Sequence, residues 1–255
     1  MELIEIITLA VLGVFLIGVV WFLIKREKRT QITQSTMTTK QMMYVVTLST
    51  LAIVVGFFEI PIGVTGLKFD FSEIVILLSF LMLGFKSTSV IILLRSVVRF
   101  VLPAKTGAEA EIIIKLLGEV IAMLASFLLV FSYQITKKIF RKNEKPLLLA
   151  IPTEVKEPSI AIHIVNAVLS ALLLTIGITI FHILFTVPIY TSYLFNQGKH
   201  HFFITTYLSD PNYNDSLIGV IKYVIIMFGL MNVIKGALSS VLFLILKPRV
   251  ENAVK

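Results

Sequence analysis

The chain has 255 residues, of which 57% are hydrophobic and 15% charged, and its mean hydropathy is +0.94. This composition excludes a soluble globular domain and makes a lipid bilayer the expected solvent, and the lack of cysteine excludes disulfides and thiolate chemistry. The net charge of +8 does not indicate a nucleic-acid partner, because membrane proteins concentrate Lys and Arg in their cytoplasmic loops.

Residues 1–29 are predicted to form an extra N-terminal transmembrane helix with a basic cytoplasmic flank. Its apolar span covers residues 3–24 and ends at a basic cluster that starts with Lys25. A cleaved signal peptide carries its positive charges before the apolar core, which is the reverse of this order, so we expect the helix to be retained. Residues 30–40 are rich in Thr and Gln and are predicted to be a polar linker.

Residues 41–250 are predicted to form a six-helix membrane domain, followed by a cytoplasmic tail at residues 251–255. With the N-terminal helix, the six apolar segments give a total of seven spans and an all-α integral membrane protein. No internal repeat of the kind that marks many secondary transporters is present. The six predicted segments are 42–60, 71–85, 88–103, 112–135, 160–189 and 217–246.

The distribution of Lys and Arg predicts which side of the membrane each loop occupies. If the N-terminus lies outside, the outside loops keep only Lys68, Lys105 and Lys199, and the other basic loop residues are cytoplasmic. This bias predicts a multi-pass protein of the cytoplasmic membrane with its C-terminus inside the cell. The long polar and aromatic loop at residues 191–216 would then face outside, at a position suited to capping a site.

Lys235 lies well inside the last apolar segment, and Asn232 precedes it by one helical turn on the same face. A charge at the membrane centre costs about 2.5–3.5 kcal/mol on insertion scales, so it is expected to face the bundle interior and to have a partner. An ammonium beside an amide suits a planar polar ligand that is rich in carbonyls and ring nitrogens. The structural alternative is that Lys235 pairs with an internal carboxylate such as Glu119 and holds helices together.

Three further polar residues of the apolar segments are candidates for either role. Arg95 and Arg99 lie one turn apart on the third core segment, and Glu119 lies on the fourth. A buried Arg–Glu ion pair explains them without a substrate, and ligand contact is the alternative.

His182, on the fifth segment, is predicted to be an interior hydrogen-bonding residue rather than a metal ligand, because no second His stands three or four residues away.

The first core segment contains Ser49, Ala52 and Gly56, and the last two form a small-xxx-small pair that permits close helix approach. Contact of this face with another membrane subunit is therefore plausible from the sequence. The chain has no P-loop, H-E-x-x-H or G-x-S-x-G motif. No catalytic residue, metal site or cofactor is predicted, and any transport powered by ATP would require another chain.

Three stretches resemble the substrate-binding S components of energy-coupling factor (ECF) vitamin transporters, and within them the riboflavin-specific members. They are residues 67–73, which precede a Leu-Gly turn, residues 181–190, which end in V-P-I-Y, and residues 231–236, which read M-N-V-I-K-G. The last is the most specific, because it resembles the N-x-x-K-G helix that holds the flavin ring. Two departures concern the cargo: His182 stands where riboflavin members tend to have Asn, and Ala122 stands where an Asn often follows on the fourth helix.

The resemblance, over about residues 41–250, implies a six-helix bundle with an outward-facing vitamin pocket and riboflavin as the transported ligand. It also implies a transmembrane coupling subunit and two ATP-binding subunits as partners, with the first core helix meeting the coupling subunit at Ser49, Ala52 and Gly56. The candidate substrate-binding residues are Asn232, Lys235, His182, Glu119 and Arg95.

Other functions stay open at this stage. Another vitamin, such as pantothenate, a thiamine precursor or folate, is an alternative cargo. A membrane enzyme acting on lipid or prenyl substrates would need paired acids or metal ligands facing one cavity, and the sequence offers no such set. A purely structural scaffold has little reason to bear the cost of charges inside the membrane.

Overall fold

The structure is a computed structural model that describes residues 37–61, 68–102, 112–140, 160–186 and 225–254. The predicted N-terminal helix, most of the predicted linker and the loop at 191–216 lie outside the described residues. The chain divides into two compact units, Met1–Met42 and Met43–Lys255. In the first unit the described residues are 37–42, where Thr38 and Gln41 cap the start of a helix by exchanging backbone-to-side-chain hydrogen bonds of 3.0 and 3.3 Å.

The described residues form six α-helices and one short β-hairpin. The fifth helix continues into a π-helical turn at His182–Thr186, and a second π-helical turn at Ile225–Gly229 leads into the sixth. The elements are α1 Thr39–Val55, β1 Glu59–Pro61, β2 Lys68–Asp70, α2 Ser72–Leu83, α3 Phe85–Val101, α4 Ile112–Phe140, α5 Ile160–Phe181 and α6 Leu230–Val254.

The six helices correspond to the six predicted core segments. Three of them are long and apolar enough to cross a membrane, over Lys115–Phe140, Ala161–Thr186 and Leu230–Val250. The predicted total of seven spans is not supported. The described residues contain six helices, and the predicted N-terminal helix lies outside them. The hairpin was not predicted. Strands β1 and β2 pair antiparallel with Glu59 opposite Asp70, whereas the sequence analysis places residues 59 and 60 at the end of the first core segment.

Helix α2 lies inside the bundle and packs against α3, α4 and α6. Its 12 residues rise about 18 Å at 1.5 Å per residue, which is less than the thickness of the hydrocarbon core. Its side chains are buried along nearly its whole length, and Ile76 and Leu77 have no exposed surface. The short apolar segment that the sequence predicted is therefore an interior helix surrounded by longer ones.

Helix α5 shows how the outer surface is suited to lipid. It exposes one large apolar side chain every fourth residue, which gives a continuous apolar stripe. Such a stripe on water-exposed surface would favour aggregation, whereas lipid chains solvate it. The stripe consists of Ile164, Val168, Leu172, Ile176 and Ile180.

Small residues bring α4, α5 and α6 together. The hydroxyls of Ser132 and Ser170 form a hydrogen bond between α4 and α5. On α6, a Cβ added to Gly236 would lie 2.8 Å from the Cα of Ala171 on α5, so the two backbones are in direct contact there. Close approach at small residues is the usual basis of helix association in membranes, where lipid removes most of the hydrophobic driving force.

The contacts between helices define two ends of the bundle. The hairpin end contains the β-hairpin, the starts of α2, α4 and α6, and the ends of α3 and α5. The opposite end contains the Gly84 junction between α2 and α3, the start of α5 and the ends of α4 and α6. Lys137 near the end of α4 lies 5.9 Å from the ring centre of Phe80 near the end of α2.

Gly236→Ala is expected to destabilise the protein, because overpacking a close contact costs about 1–3 kcal/mol. Gly118→Ala is the matched control, since nothing lies within 4 Å of the Cβ it would add, and Ala is favoured over Gly in a helix by roughly 0.5–1 kcal/mol. Thermal unfolding of the purified proteins in detergent should give a lower midpoint for Gly236→Ala and an unchanged or higher one for Gly118→Ala. Equal midpoints for the two variants would contradict the close packing of α5 on α6.

Candidate functional site

The hairpin end holds a cluster of charged side chains around Arg99, which we call the Arg99 cluster: Arg99, Glu59, Asp70 and Glu119. The Nη2 atom of Arg99 lies 2.7 Å from Glu59 Oε1, its Nη1 contacts Asp70 Oδ2, and its Nε lies 3.4 Å from Glu119 Oε1. One guanidinium thus connects both hairpin strands and α4 to α3. Its planar set of donors allows it to bind several carboxylates at once.

Arg95 lies one turn deeper on α3 and has no exposed surface. Its Nη1 donates a 2.7 Å hydrogen bond to Ser72 Oγ at the start of α2. Asp70 Oδ1 accepts a 2.7 Å hydrogen bond from the backbone N–H of Ser72 and so anchors the same turn. The Nε and Nη2 atoms of Arg95 have no hydrogen-bond partner among the described residues. A buried guanidinium with two unused donors is available to a ligand.

Lys235 on α6 pairs with Glu73 on α2. The two charged atoms are 2.8 Å apart, and Ser239 Oγ donates a 2.9 Å hydrogen bond to the other oxygen of the same carboxylate. Glu73 is only 1% exposed, so its charge depends on these two partners. The internal carboxylate that Lys235 contacts is therefore Glu73, while Glu119, which the sequence suggested, contacts Arg99.

His182 and Asn232 lie at the same end, on the π-helical turn after α5 and on the first turn of α6. The His182 ring lies 4.3 Å from the ring of Phe228, centre to centre, with the planes tilted by 35°. Both imidazole nitrogens of His182 and the Nδ2 atom of Asn232 lack a hydrogen-bond partner among the described residues, although both side chains are buried. The Lys235 ammonium is near enough to act electrostatically on the His182 ring.

The predicted site residues therefore come together at one end of the bundle. The start of α2 connects the Arg99 cluster to the Lys235 pair, because Asp70 contacts both Arg99 and the backbone of Ser72, and the next residue, Glu73, pairs with Lys235. The arrangement offers hydrogen-bond donors and acceptors beside an aromatic ring. The described part of the chain also contains no group of three acidic or His side chains that could hold a metal ion.

Ser49 and Ala52 lie on the buried side of α1, and Gly56, which is also buried, follows the last residue of that helix. A Cβ added to Gly56 would lie 3.0 Å from Arg99 Nη1 and 3.4 Å from Asp70 Oδ1, so this glycine makes room for an ion pair. The structure gives the three residues a packing role within the chain. Their contact with a coupling subunit stays a prediction.

Sequence reasoning missed most of the partners of the basic residues. Asp70, Ser72 and Glu73 entered only as part of residues 67–73, which resemble a family stretch. Ser239 and Glu59 were not singled out. A usable signal existed for Ser239, which follows Lys235 by four residues on the same helical face. A second signal was the pair of acidic residues, Asp70 and Glu73, at the start of an otherwise apolar segment.

Glu73→Gln is expected to destabilise the protein by about 3–5 kcal/mol, because it leaves the ammonium of Lys235 without its carboxylate in a buried position. The double variant Glu73→Gln/Lys235→Met removes both charges and should recover much of the lost stability. Thermal unfolding in detergent measures both effects. A single variant as stable as the unaltered protein would mean that the buried pair does not hold α2 to α6.

Comparisons with known proteins identify the family and the fold. A family model described as "ECF transporter, substrate-specific component" matches residues 40–247. A solved structure described as "Structure and mechanism of the S component of a bacterial ECF transporter" superposes with a TM-score of 0.53 at 18% sequence identity, and the match covers 85% of this chain and 98% of that chain. At that identity the likeness supports the fold alone. A comparison with curated protein sequences gives no match.

The family match extends over most of the chain, contains four of the six described helices completely and includes most of the first and the last. Members of this family are membrane subunits that bind a small-molecule substrate and work with a membrane coupling subunit and ATPases, and their class is that of transporters rather than enzymes. This chain belongs to the family of substrate-specific components of ECF transporters.

Proposed function

We propose that the chain binds riboflavin at the hairpin end and delivers it inward together with a transmembrane coupling subunit and two ATP-binding subunits. The observation that carries this proposal is a group of buried polar atoms, on three residues of the hairpin end, that have no hydrogen-bond partner among the described residues. They belong to Arg95, His182 and Asn232, and they lie at the end where the Lys235 pair and the Arg99 cluster also lie. Buried polar groups are normally satisfied, so several orphaned ones in one place favour a ligand that satisfies them.

The chemistry of these atoms suits the flavin ring. The amide of Asn232 and the guanidinium of Arg95 are donors for ring carbonyls and nitrogens, and the imidazole of His182 can both accept and donate a hydrogen bond. The ring of Phe228 beside His182 adds an aromatic surface on which a planar ligand could stack. Asn232 and Lys235 also match the N-x-x-K-G pattern, which the resemblance associates with flavin binding.

The charges of the site balance, which favours a neutral ligand over an acidic one. The hairpin end brings together four cationic and four carboxylate side chains that the structure describes, which leaves no net charge among them when all are ionised. Riboflavin is neutral and keeps this balance, whereas pantothenate and folate carry carboxylates that would add unpaired negative charge. The eight side chains are Arg95, Arg99, Lys115 and Lys235, and Glu59, Asp70, Glu73 and Glu119.

Asn232→Ala is expected to weaken riboflavin binding about tenfold, because it removes one ligand hydrogen bond of about 1–1.5 kcal/mol. The ligand-free protein should still fold, since the Nδ2 atom has no hydrogen-bond partner among the described residues to lose. Quenching of riboflavin fluorescence by the purified protein gives the affinity, with pantothenate, thiamine and folate as competitors.

Val233→Ala is the matched control for this experiment, because Val233 is the neighbouring residue on α6 and is 42% exposed on the outer side. Its affinity for riboflavin should equal that of the unaltered protein. The binding role of Asn232 is disproved if Asn232→Ala binds riboflavin as tightly as Val233→Ala. Displacement of riboflavin by one of the other vitamins would move the assignment to that cargo.

The hairpin end is proposed to face the outside of the cell, as the distribution of Lys and Arg predicts. The chain has no cysteine, so single introduced cysteines report the orientation cleanly. A membrane-impermeant maleimide should label Phe58→Cys at the hairpin end of intact cells, because Phe58 is 67% exposed. Lys138→Cys, at the opposite end, should react only after the membrane is permeabilised, and the reverse pattern would overturn the topology.

A further inference from the structure

A second polar cleft lies at the opposite end of the bundle, where α2, α4, α5 and α6 meet. It is distinct from the hairpin end, because its residues lie near the ends of α2, α4 and α6 and the start of α5. The residues that line it are Phe80, Leu81, Tyr133, Thr136, Lys137, Ile162, His163, Asn166, Phe243 and Lys247.

The polar side of this cleft is cationic. Lys137 and Lys247 supply two ammonium groups, His163 supplies an imidazole, and no Asp or Glu is among the described residues that line the cleft. Lys247 is only 7% exposed although it carries a charge. All three also make other contacts within the protein. Two lysines that converge from α4 and α6 create a positive potential that attracts an anion, and phosphate is a common partner of lysine in this role.

The rest of the lining suits a molecule with hydroxyls and hydrocarbon beside its anionic group. The hydroxyl of Thr136 and the amide of Asn166 are able to bind hydroxyl groups, and Asn166 Oδ1 has no hydrogen-bond partner among the described residues. Tyr133 and Phe243 form an edge-to-face pair with centres 5.0 Å apart that gives the cleft an apolar wall. A free inorganic anion would leave this wall without a partner.

The surface around the cleft is lipid-facing. Ile164 and Val168 on α5, and Val241 and Ile245 on α6, are exposed apolar side chains within about two turns of the cleft residues. Acyl chains of a bound lipid could therefore lie along the outside of the bundle while the headgroup enters the cleft. Basic pockets between transmembrane helices are typical binding places for anionic lipid headgroups.

We propose that this cleft binds the headgroup of an anionic phospholipid, with Lys137 and Lys247 on the phosphate and with Asn166 and Thr136 on headgroup hydroxyls. Binding involves no covalent step. The site is independent of the cargo, because it lies at the end of the bundle opposite the proposed riboflavin site. Occupancy would tie α4 and α6 together on the side that the charge distribution assigns to the cytoplasm.

The test uses the full-length purified protein in detergent, with phosphatidylglycerol as the probe and phosphatidylcholine as its zwitterionic counterpart. Phosphatidylglycerol should raise the thermal midpoint in a saturable manner, and native mass spectrometry should detect it bound. Lys137→Gln and Lys247→Gln should each raise the concentration for half-maximal effect about tenfold, because each removes a charge-assisted hydrogen bond. Lys138→Gln, an exposed neighbour of Lys137 on α4, is the control and should leave it unchanged.

Three outcomes would overturn the proposal. They are stabilisation by phosphatidylcholine equal to that by phosphatidylglycerol, equal stabilisation by inorganic phosphate at the same concentration, and a rise in the half-maximal concentration in Lys138→Gln as large as that in Lys137→Gln. If Lys247→Gln does not fold, the variants of Lys137, which is half-buried, test the proposal on their own. Lys137→Arg keeps the charge and should retain binding, whereas Lys137→Gln should lose it, and identical behaviour of these two variants would exclude Lys137 from the site.

Discussion

The hairpin end depends on the contact of Arg99 with three carboxylates that come from β1, β2 and α4. None of these charges is tolerated alone in an apolar bundle, because removing an ion from water costs several kcal/mol unless a partner and further hydrogen bonds offset it. Their pairing fixes where the hairpin sits on α3 and α4. Asp70 extends the constraint to α2, since the same side chain that contacts Arg99 also anchors the first turn of that helix.

The start of α2 in turn positions the proposed ligand site. Ser72 and Glu73 are consecutive residues, and they hold Arg95 of α3 and Lys235 of α6 respectively. A short helix in the middle of the bundle thus orients basic residues from two of its neighbours. Buried polar atoms of Arg95, Asn232 and His182 that have no hydrogen-bond partner among the described residues lie at the same end as this assembly. A ligand that hydrogen-bonds to these atoms would offset the cost of burying them, which is the physical basis of the proposed function.

The two ends of the bundle differ in the charged side chains that line them. The hairpin end mixes carboxylates and cations in compact ion pairs, whereas the described lining of the cleft at the opposite end carries cations alone. A neutral polar cargo suits the first environment and an anionic lipid headgroup suits the second. Between them, the helices contact each other through small residues, and their outer surfaces present apolar side chains to lipid.

Much of the helical architecture was predictable from the sequence, and the contacts within the site were not. Apolar runs gave the six core helices, and the starts of α4 at residue 112 and α5 at residue 160 agree with the prediction, because helices in lipid must be long and apolar. The hairpin was missed because three-residue strands carry too little pattern. The choice of Glu73 as the partner of Lys235 was missed because it depends on how α2 and α6 pack side by side, 162 residues apart along the chain, and periodicity within one helix contains no such information.

The most direct test of the account is to purify the protein after expression in riboflavin-containing medium, and to measure its visible absorption and the flavin released on denaturation. The account predicts about one flavin per chain in the unaltered protein, and much less in Asn232→Ala. A colourless protein that also fails to quench the fluorescence of added riboflavin would contradict riboflavin as the cargo. It would leave the family assignment intact, and His182 would be the first residue to examine for a different specificity.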